Sequence, residues 1–126
     1  MKGSCLCGNV RIEVAGPTSF HTYCHCSQCR KQSGHFWATA TAPVSAIAIT
    51  GEVKWFASSS FAKRGFCPNC GSFLFWKVDA DAEMGFSLGL IDGPTGLTME
   101  KHIFTADKGD YYQIDDGLPQ ERRETQ

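Results

Sequence analysis

Seven cysteines in three short clusters are the feature that most constrains what this chain can fold into. The clusters have the spacings C-x-C, C-x-x-C and, between them, C-x-C-x-x-C. Their members are Cys5 and Cys7, then Cys67 and Cys70, and in the middle Cys24, Cys26 and Cys29. Seven thiols cannot all pair off, and cysteines in a C-x-C rarely meet the geometry of a disulfide. Closely spaced thiolates suit a borderline-soft cation that takes sulfur ligands at about 2.3 Å in a tetrahedron. The pattern therefore predicts a zinc protein.

The length and composition favour one small domain in the cytoplasm. At 126 residues the chain fits a single domain, 1–126, with a core of about 3–119 and a charged tail over 120–126. No apolar run is long enough to cross a bilayer, and the start lacks the apolar segment of a secretory signal. In the cytoplasm the thiols stay reduced and available to metal. The formal net charge of -1 argues against a nucleic-acid partner, which needs a basic surface.

Short apolar patterns bounded by turn residues predict an all-β fold. Val10, Ile12 and Val14 alternate with polar residues at a period of two. Further extended segments are predicted over 20–23, 36–41, 47–49, 53–56, 61–66, 73–78, 86–90 and 102–104. A break at Ser33 leaves room for at most one helical turn across Ser27–Gln32. We expect short antiparallel strands, with tight turns that carry the metal ligands.

Zinc takes four protein ligands in a structural site and three plus an open position in a catalytic site, so seven sulfurs divide into four and three. Two divisions are open. The first cluster can join the last in a closed site and leave the middle cluster with an open position. Alternatively, Cys26, Cys29, Cys67 and Cys70 form a zinc ribbon, with Cys5, Cys7 and Cys24 left over. We favour the first division, because a four-cysteine zinc more than offsets the roughly 3–4 kcal/mol needed to close the long loop between its ligands.

Three motifs make the chain resemble a known family. They are Gly3-Ser4-Cys5-Leu6-Cys7-Gly8, Cys24-His25-Cys26-Ser27-Gln28-Cys29-Arg30-Lys31 followed by Ser33-Gly34, and Phe66-Cys67-Pro68-Asn69-Cys70-Gly71-Ser72. In this order they are similar to the motifs of the glutathione-dependent formaldehyde-activating enzyme family, whose domain also occurs in centromere protein V. The likeness covers roughly residues 3–119. It includes His102-Ile103-Phe104 and Asp116-Gly117-Leu118-Pro119.

The resemblance implies a β-tent fold of antiparallel sheets with two zinc ions per chain. It assigns one ion, structural, to Cys5, Cys7, Cys67 and Cys70, and the other, catalytic, to Cys24, Cys26 and Cys29. The activity named for the family is condensation of glutathione with formaldehyde to S-hydroxymethylglutathione, classed as a carbon–sulfur lyase. We therefore expect a small thiol such as glutathione as the substrate, and neither a membrane nor a nucleic acid as a partner.

The open position of the middle cluster suits a substrate sulfur. Zinc deprotonates a bound thiol, and three thiolate ligands leave the ion with a net charge of about -1, which weakens it as a Lewis acid. The site therefore favours delivery of a thiolate to an aldehyde, which gives a hemithioacetal. Arg30 and Lys31 follow the cluster directly and can offset its charge or receive the carboxylates of a peptide thiol. A solvated pair beside a loop explains them equally well.

The remaining histidines and aromatic residues have simpler interpretations. His25 lies between two ligands and can carry a proton, but we expect its ring to point to solvent because its neighbours must point at metal. The other histidines, His21, His35 and His102, are expected at the surface or in packing. Aromatic residues at strand spacing are expected in the core rather than around a pocket. They are Trp37, Trp55, Trp76, Phe73 and Phe75.

The alternative to an enzyme is a non-catalytic zinc-folded module that binds a protein or a small ligand. Such a module needs one four-cysteine site and has no use for three further clustered cysteines. The middle cluster therefore favours the enzyme.

Overall fold

The structure, a computed structural model, describes residues 1–123 and divides into two compact units. The first unit contains Met1–Ser19 and Ala40–Gly96, and the second contains Phe20–Thr39 and the described residues from Leu97 on. Whether 1–126 behaves as a single domain stays a prediction. The last part of the predicted tail, 124–126, lies outside the described residues.

Strands dominate the described chain, so the predicted all-β class is confirmed. The strands are β1 (Lys2–Ser4), β2 (Arg11–Val14), β3 (Ser19–Cys24), β4 (Trp37–Pro43), β5 (Ile47–Thr50), β6 (Lys54–Ala57), β7 (Ala62–Phe66), β8 (Phe73–Val78), β9 (Glu83–Ser87) and β10 (Lys101–Ile103). A single α-helix of the described part, α1, spans Ser27–Ser33, and short 3₁₀ turns lie at Val44–Ala46, Leu88–Leu90 and Thr105–Asp107. Between Met1 and residue 123 no helix has the length and apolar character needed to span a membrane.

The first unit contains two groups of antiparallel strands. β2 pairs with β1 on one side and with β5 on the other, and the buried Ile12 and Val14 alternate with exposed residues as the sequence predicts. The second group has the strand order β9-β8-β7-β6. Its interior includes Leu74, Phe75 and Phe86, which are completely buried. These pairings bring the first and last cysteine clusters into the same unit.

A close backbone approach explains one glycine of the first unit. Gly3 forms a bridge with Ile91, and a Cβ atom at Gly3 would lie 2.1 Å from the carbonyl oxygen of Leu90. No side chain fits at that distance, so the position requires glycine.

The second unit places the middle cysteine cluster between a strand and a helix. β3 pairs with β10, with Tyr23 opposite His102 and Cys24 opposite Ile103. The pairing is parallel and so departs from the short antiparallel strands that the sequence analysis expected. The relative direction of β3 and β10 could not be read from the sequence, because the two strands lie far apart along the chain and no tight turn joins them.

The start of the predicted tail is bound to β10. The N–H of Glu121 donates to the oxygen of His102, and the N–H of His102 donates to Pro119. The carboxylate of Glu121 also lies 3.0 Å from the ammonium group of Lys101. Residues up to 122 therefore belong to the hydrogen-bonded structure of the second unit.

Two predicted elements differ from the observed ones because of local capping. α1 is seven residues long instead of one turn, since Cys26 Sγ accepts the Cys29 N–H at its start and Gly34, at φ 78°, closes its end on Arg30. The strand predicted over 86–90 stops at Ser87. Leu88–Leu90 form a 3₁₀ turn that is closed by the Ile91 N–H on the oxygen of Leu88.

Candidate metal centres

The four cysteines of the first and last clusters form one group in the first unit. The Sγ atoms of Cys5, Cys7, Cys67 and Cys70 all lie within 4.8 Å of one another, and two of these separations are 3.6 Å (Cys5 to Cys7) and 3.7 Å (Cys7 to Cys67). Sulfurs at about 2.3 Å from a tetrahedral ion are about 3.8 Å apart. The spacing therefore fits one metal ion with four sulfur ligands.

Two tight turns present these sulfurs. In the first turn the Gly8 N–H donates to the oxygen of Cys5, and the Val10 N–H donates to Cys5 Sγ at 3.3 Å. In the second turn the Gly71 N–H donates to the oxygen of Cys67 at 2.8 Å. Gly71 has φ 77°, which favours glycine. Each turn holds two cysteines of the group, which we call the four-sulfur cluster.

Ser72 connects the two turns of the four-sulfur cluster. Its hydroxyl oxygen accepts the Leu6 N–H at 3.0 Å and is hydrogen-bonded to Cys70 Sγ at 3.2 Å. The hydrogen bonds from the Ser72 hydroxyl and N–H lower the pKa of Cys70 to about 5. Because the thiolate is the form that binds metal, Ser72 favours the form of Cys70 that could bind an ion.

The pKa values of two further thiols of the cluster are also shifted by the turns that hold them. Burial acts to raise the pKa of Cys5, but the Val10 N–H and the thiols of Cys7 and Cys67 outweigh it and leave the pKa lowered. The Cys70 N–H acts to lower the pKa of Cys67, but burial and the neighbouring thiols leave it raised. The cluster therefore contains thiols with a lowered pKa and one with a raised pKa, as expected where neighbouring thiols titrate as a coupled group.

The middle cysteines form a second group, in the second unit. The Sγ atoms of Cys24, Cys26 and Cys29 lie within 4.8 Å of one another, and no other His, Cys, Asp or Glu of residues 1–123 joins them. Cys24 ends β3, Cys26 caps α1, and Cys29 lies in the first turn of the helix. Hydrogen bonding to the other two thiols, with burial, raises the pKa of Cys24. We call this group the three-sulfur cluster.

The two groups are the ones that the favoured division predicted, and the described chain does not form the ribbon alternative. Cys26 and Cys29 group with Cys24, whereas Cys67 and Cys70 group with Cys5 and Cys7. Both clusters could hold a metal ion. That all seven cysteines are metal ligands stays a prediction.

The ring of His25 does not point to solvent, so that expectation was wrong. His25 is completely buried, with its Nδ1 hydrogen-bonded to the Tyr112 hydroxyl and its Nε2 2.8 Å from Nδ1 of His102. Phe36, His102 and Tyr112 pack against the ring and cover it. The pKa of His25 is lowered to about 4. Burial is the largest cause, and electrostatic repulsion from His102 and His35 adds to it.

The hydrogen bonds continue from His102 to the surface. Nε2 of His102 lies 2.8 Å from Oδ2 of Asp116, and Oδ1 of the same carboxylate accepts the Leu118 N–H at 3.0 Å. The bond from His102, and then the Leu118 N–H, lower the pKa of Asp116. At the other end, burial and the neighbouring Tyr111 raise the pKa of Tyr112. We call the sequence Tyr112–His25–His102–Asp116 the polar chain.

The sequence analysis missed the polar chain. It expected His102 only to pack or to lie at the surface. His102 is indeed buried, but it is bonded at both ring nitrogens. The available signal was the presence of His102 and Asp116 in segments that resemble the family, which does not say what they contact.

The other residues that the sequence analysis singled out differ in how deeply they are buried and in what they contact. Lys31 is exposed on α1, whereas Arg30 is half-buried, and its Nε atom is buried without a hydrogen-bond partner among the described atoms. His21 lies 3.8 Å from Glu100, and the ring of His35 contacts Tyr112. Of the aromatic residues predicted in the core, two are buried, Trp37 and Phe75, and three are half-buried, Trp55, Phe73 and Trp76.

Comparison with known proteins agrees with this arrangement. Residues 1–107 match the family described as glutathione-dependent formaldehyde-activating enzyme. A Schizosaccharomyces pombe protein named as an uncharacterized lyase is 30% identical over 115 residues, which cover 90% of this chain and 84% of the relative. A crystal structure of a Rhodobacter sphaeroides protein is 29% identical with a TM-score of 0.61, over 76% of this chain and 92% of that one. The fold class and the family inferred from the sequence are both confirmed, and the chain belongs to the glutathione-dependent formaldehyde-activating enzyme family.

Proposed function

We propose that this protein is a zinc-dependent carbon–sulfur lyase that joins a small thiol such as glutathione to an aldehyde such as formaldehyde, as a cytoplasmic enzyme. The four-sulfur cluster holds a structural zinc, and the three-sulfur cluster holds a catalytic one. The family match and the relative named as a lyase support this class of reaction.

The observation that carries the proposal is the three-sulfur cluster itself. A complete four-sulfur set already exists in the first unit, so the fold of that unit does not need the sulfurs of Cys24, Cys26 and Cys29. Three sulfurs within 4.8 Å of one another leave one corner of a tetrahedron for a ligand from outside the chain. A zinc ion there would supply an electron-rich centre that keeps a guest thiol in its thiolate form.

The cationic residues beside the cluster support a thiol that carries carboxylates. Arg30 and Lys31 follow Cys29 on α1. The buried Nε of Arg30 lacks a hydrogen-bond partner among the described atoms, and such an atom costs stability unless a ligand satisfies it. A carboxylate of glutathione matches the planar donors of the guanidinium group.

A rate measurement tests the reaction. Zinc-loaded protein should speed the exchange between glutathione, formaldehyde and their adduct above the spontaneous rate, as followed by NMR. Cys26→Ser should abolish that acceleration while one zinc per chain remains. If the wild-type protein gives only the spontaneous rate, the enzyme proposal is wrong, and tight thiol binding without turnover would then favour the binding module.

A second comparison tests the carboxylate contact. Arg30→Gln should raise KM for glutathione about tenfold, the value of one charge-assisted hydrogen bond. The same variant should leave KM for 2-mercaptoethanol unchanged, because that thiol has no carboxylate. Equal effects on both thiols would contradict a role for Arg30 in binding glutathione.

A further inference from the structure

Residues 109–118 form an irregular segment of the second unit, which we call the strap. The chain is secured by backbone hydrogen bonds on either side of it. The Lys108 N–H donates to the oxygen of Thr105 at 3.2 Å, and the oxygen of Pro119 accepts the His102 N–H at 2.9 Å. Between these points, no backbone group of the strap bonds to the backbone of another described segment. The strap is therefore held to the rest of its unit through side chains.

Three side chains of the strap are hydrogen-bonded to other parts of the second unit. The Tyr111 hydroxyl donates to the oxygen of Gly34 at 3.0 Å. The Tyr112 hydroxyl is hydrogen-bonded to Nδ1 of His25. The third attachment, through Asp116, is the outer link of the polar chain. The first two attachments lead to the elements that carry the three-sulfur cluster.

Tyr112 holds the residue that lies between two cysteines of the cluster. His25 separates Cys24 from Cys26 and is completely buried. Its ring stacks on the ring of Tyr112, with centroids 5.5 Å apart and an angle of 23° between the planes. Its N–H donates to the oxygen of Ile103 at 3.0 Å. Because both the ring and the backbone of His25 are held, the placement of the two flanking sulfurs depends on contacts that Tyr112 completes.

Tyr111 holds the end of the helix that carries the third cysteine. Gly34 is the C-cap of α1, and its N–H donates to the oxygen of Arg30 at 2.7 Å. The neighbouring Ser33 hydroxyl donates to the oxygen of Cys29 at 2.8 Å. A helix of seven residues is too short to be stable in isolation, so its place depends on contacts with the rest of the unit. The bond from Tyr111 is one of these contacts.

Two consecutive tyrosines therefore fasten the two carriers of the three-sulfur cluster to one strap. Tyr112 fastens the segment of Cys24 and Cys26. Tyr111 fastens the helix of Cys29. A tetrahedral ion requires its sulfurs about 3.8 Å apart, so a bound ion fixes the same two elements relative to each other. Closure of the strap and binding of an ion must then favour each other by the same factor.

The strap is also the part of this arrangement that opens at the lowest cost. Tyr111 is 60% exposed, and the side chain of Asp116 is 42% exposed. A segment with few buried contacts and no backbone ladder opens locally without unfolding the rest of the domain. Opening of the strap withdraws both tyrosine contacts together, because they lie on adjacent residues.

We propose that the strap is a closing device for the three-sulfur cluster, in which Tyr111 and Tyr112 are positioning residues that couple strap closure to retention of a metal ion. An open strap frees the sulfurs to exchange an ion, and a closed strap holds them at the spacing that retains it. This inference rests on the proposed function, because it takes the three-sulfur cluster as a metal site.

Release of zinc to an excess of a chromophoric chelator gives the first result. The wild-type protein should release zinc in two phases, and the fast phase, which Cys26→Ser lacks, belongs to the three-sulfur cluster. Tyr112→Phe should speed the fast phase about tenfold, because it leaves the buried Nδ1 of His25 without its partner. Tyr111→Phe should speed it about threefold, because water competes for the more exposed bond. Both variants should leave the slow phase unchanged.

Two matched variants separate this coupling from a general loosening of the second unit. Gln113→Ala changes an exposed side chain in the middle of the strap. Glu121→Gln removes the charge that pairs with Lys101 just beyond the strap. Neither should alter the fast phase. A wild-type fast phase in both tyrosine variants, or an equal acceleration by Glu121→Gln, would overturn the proposal.

Cleavage of the strap by chymotrypsin gives the second result and needs no turnover. The protease accepts tyrosine and phenylalanine alike in its hydrophobic pocket, so the tyrosine variants keep their cleavage sites. The rate of cleavage follows the population of the open form. The wild-type protein with one zinc should be cut in the strap about tenfold faster than the protein with two, a typical size for coupling between sites. Cleavage after Phe61, which is exposed in the first unit, should not respond to the second zinc and serves as the reference.

Zinc counting keeps this inference apart from the proposed function. If the wild-type protein binds a single zinc, both fail together. If it binds two but the strap is cut equally fast with one or two, the strap proposal is overturned and the proposed function stands. Coupling without any acceleration of the thiol–aldehyde reaction would refute the proposed function and support the strap.

Discussion

Serine substitutions in the two clusters should have very different effects on stability. Cys67→Ser removes a completely buried ligand whose sulfur lies 3.7 Å from that of Cys7, 60 positions earlier in the chain. A structural zinc contributes on the order of 10 kcal/mol to folding, comparable to the whole net stability of a small domain. We expect Cys67→Ser to lose most of the free energy of unfolding.

Cys26→Ser should leave the fold in place for two reasons. The ligands of the three-sulfur cluster span only five positions, from Cys24 to Cys29, so a metal ion there constrains a loop about twelve times shorter. By the logarithmic rule this difference alone is about 2 kcal/mol. The side chain of Cys26 also caps α1, and serine caps a helix well, so α1 keeps its start.

Denaturation measures this difference directly. Unfolding in guanidinium chloride can be followed by the fluorescence of the three tryptophans, with zinc counted by mass spectrometry. A gap of 2 kcal/mol separates the midpoints of the two variants by about 0.5 M. Cys26→Ser should retain one zinc per chain and a midpoint well above that of Cys67→Ser. Coinciding midpoints, or a lower midpoint for Cys26→Ser, would refute the division into structural and catalytic sulfurs.

Three further results are expected. Ser72→Ala removes the hydroxyl that is hydrogen-bonded to Cys70 and should weaken metal binding at the four-sulfur cluster about 10- to 100-fold, as measured by competition with a chromophoric chelator. Gly3→Ala should lower the free energy of unfolding by at least about 1–3 kcal/mol, because its Cβ would overlap the oxygen of Leu90. Gly89→Ala, where nothing lies within 4 Å of the new Cβ, should stay within about 0.5 kcal/mol of wild type in the same denaturation experiment. Titration with a chelator should remove one zinc before circular dichroism reports loss of the strands, because three protein ligands hold an ion less firmly than four; simultaneous loss of zinc and fold would contradict this.

The sequence could predict the clusters because most of their geometry is local. A C-x-C or a C-x-x-C brings its sulfurs together whatever the rest of the chain does, so only the assignment of Cys5 and Cys7 to Cys67 and Cys70 required a long-range argument. The strands of the first unit followed from alternation, as at Ile12 in β2. The same alternation rule wrongly predicted a strand at Leu88. The apolar residues continue at a spacing of two, but the backbone forms a 3₁₀ turn.

Two features that the sequence did not predict are a long-range strand pairing and the start of α1. β10 pairs in parallel with β3 through residues 101–103 and 22–24. No turn motif in the sequence predicts this pairing. The length of α1 depends on a cysteine as its first cap, a residue type outside the usual group of capping residues. The strand pairing depends on where distant segments meet in space, whereas the helix start is a local hydrogen bond that the usual capping residues do not predict.

His25 shows how one local rule connects the metal site to the polar chain. Successive side chains of an extended segment point to opposite sides, so if Cys24 and Cys26 both bind one metal ion, residue 25 between them has to face the other way. The sequence analysis used this rule correctly but assumed that the far side was water. That side is instead closed by Tyr112 and by His102, 87 and 77 positions later in the chain. The backbone that holds the sulfurs therefore also holds the imidazole, so a change in the position of the ligands must shift the hydrogen bonds of the polar chain.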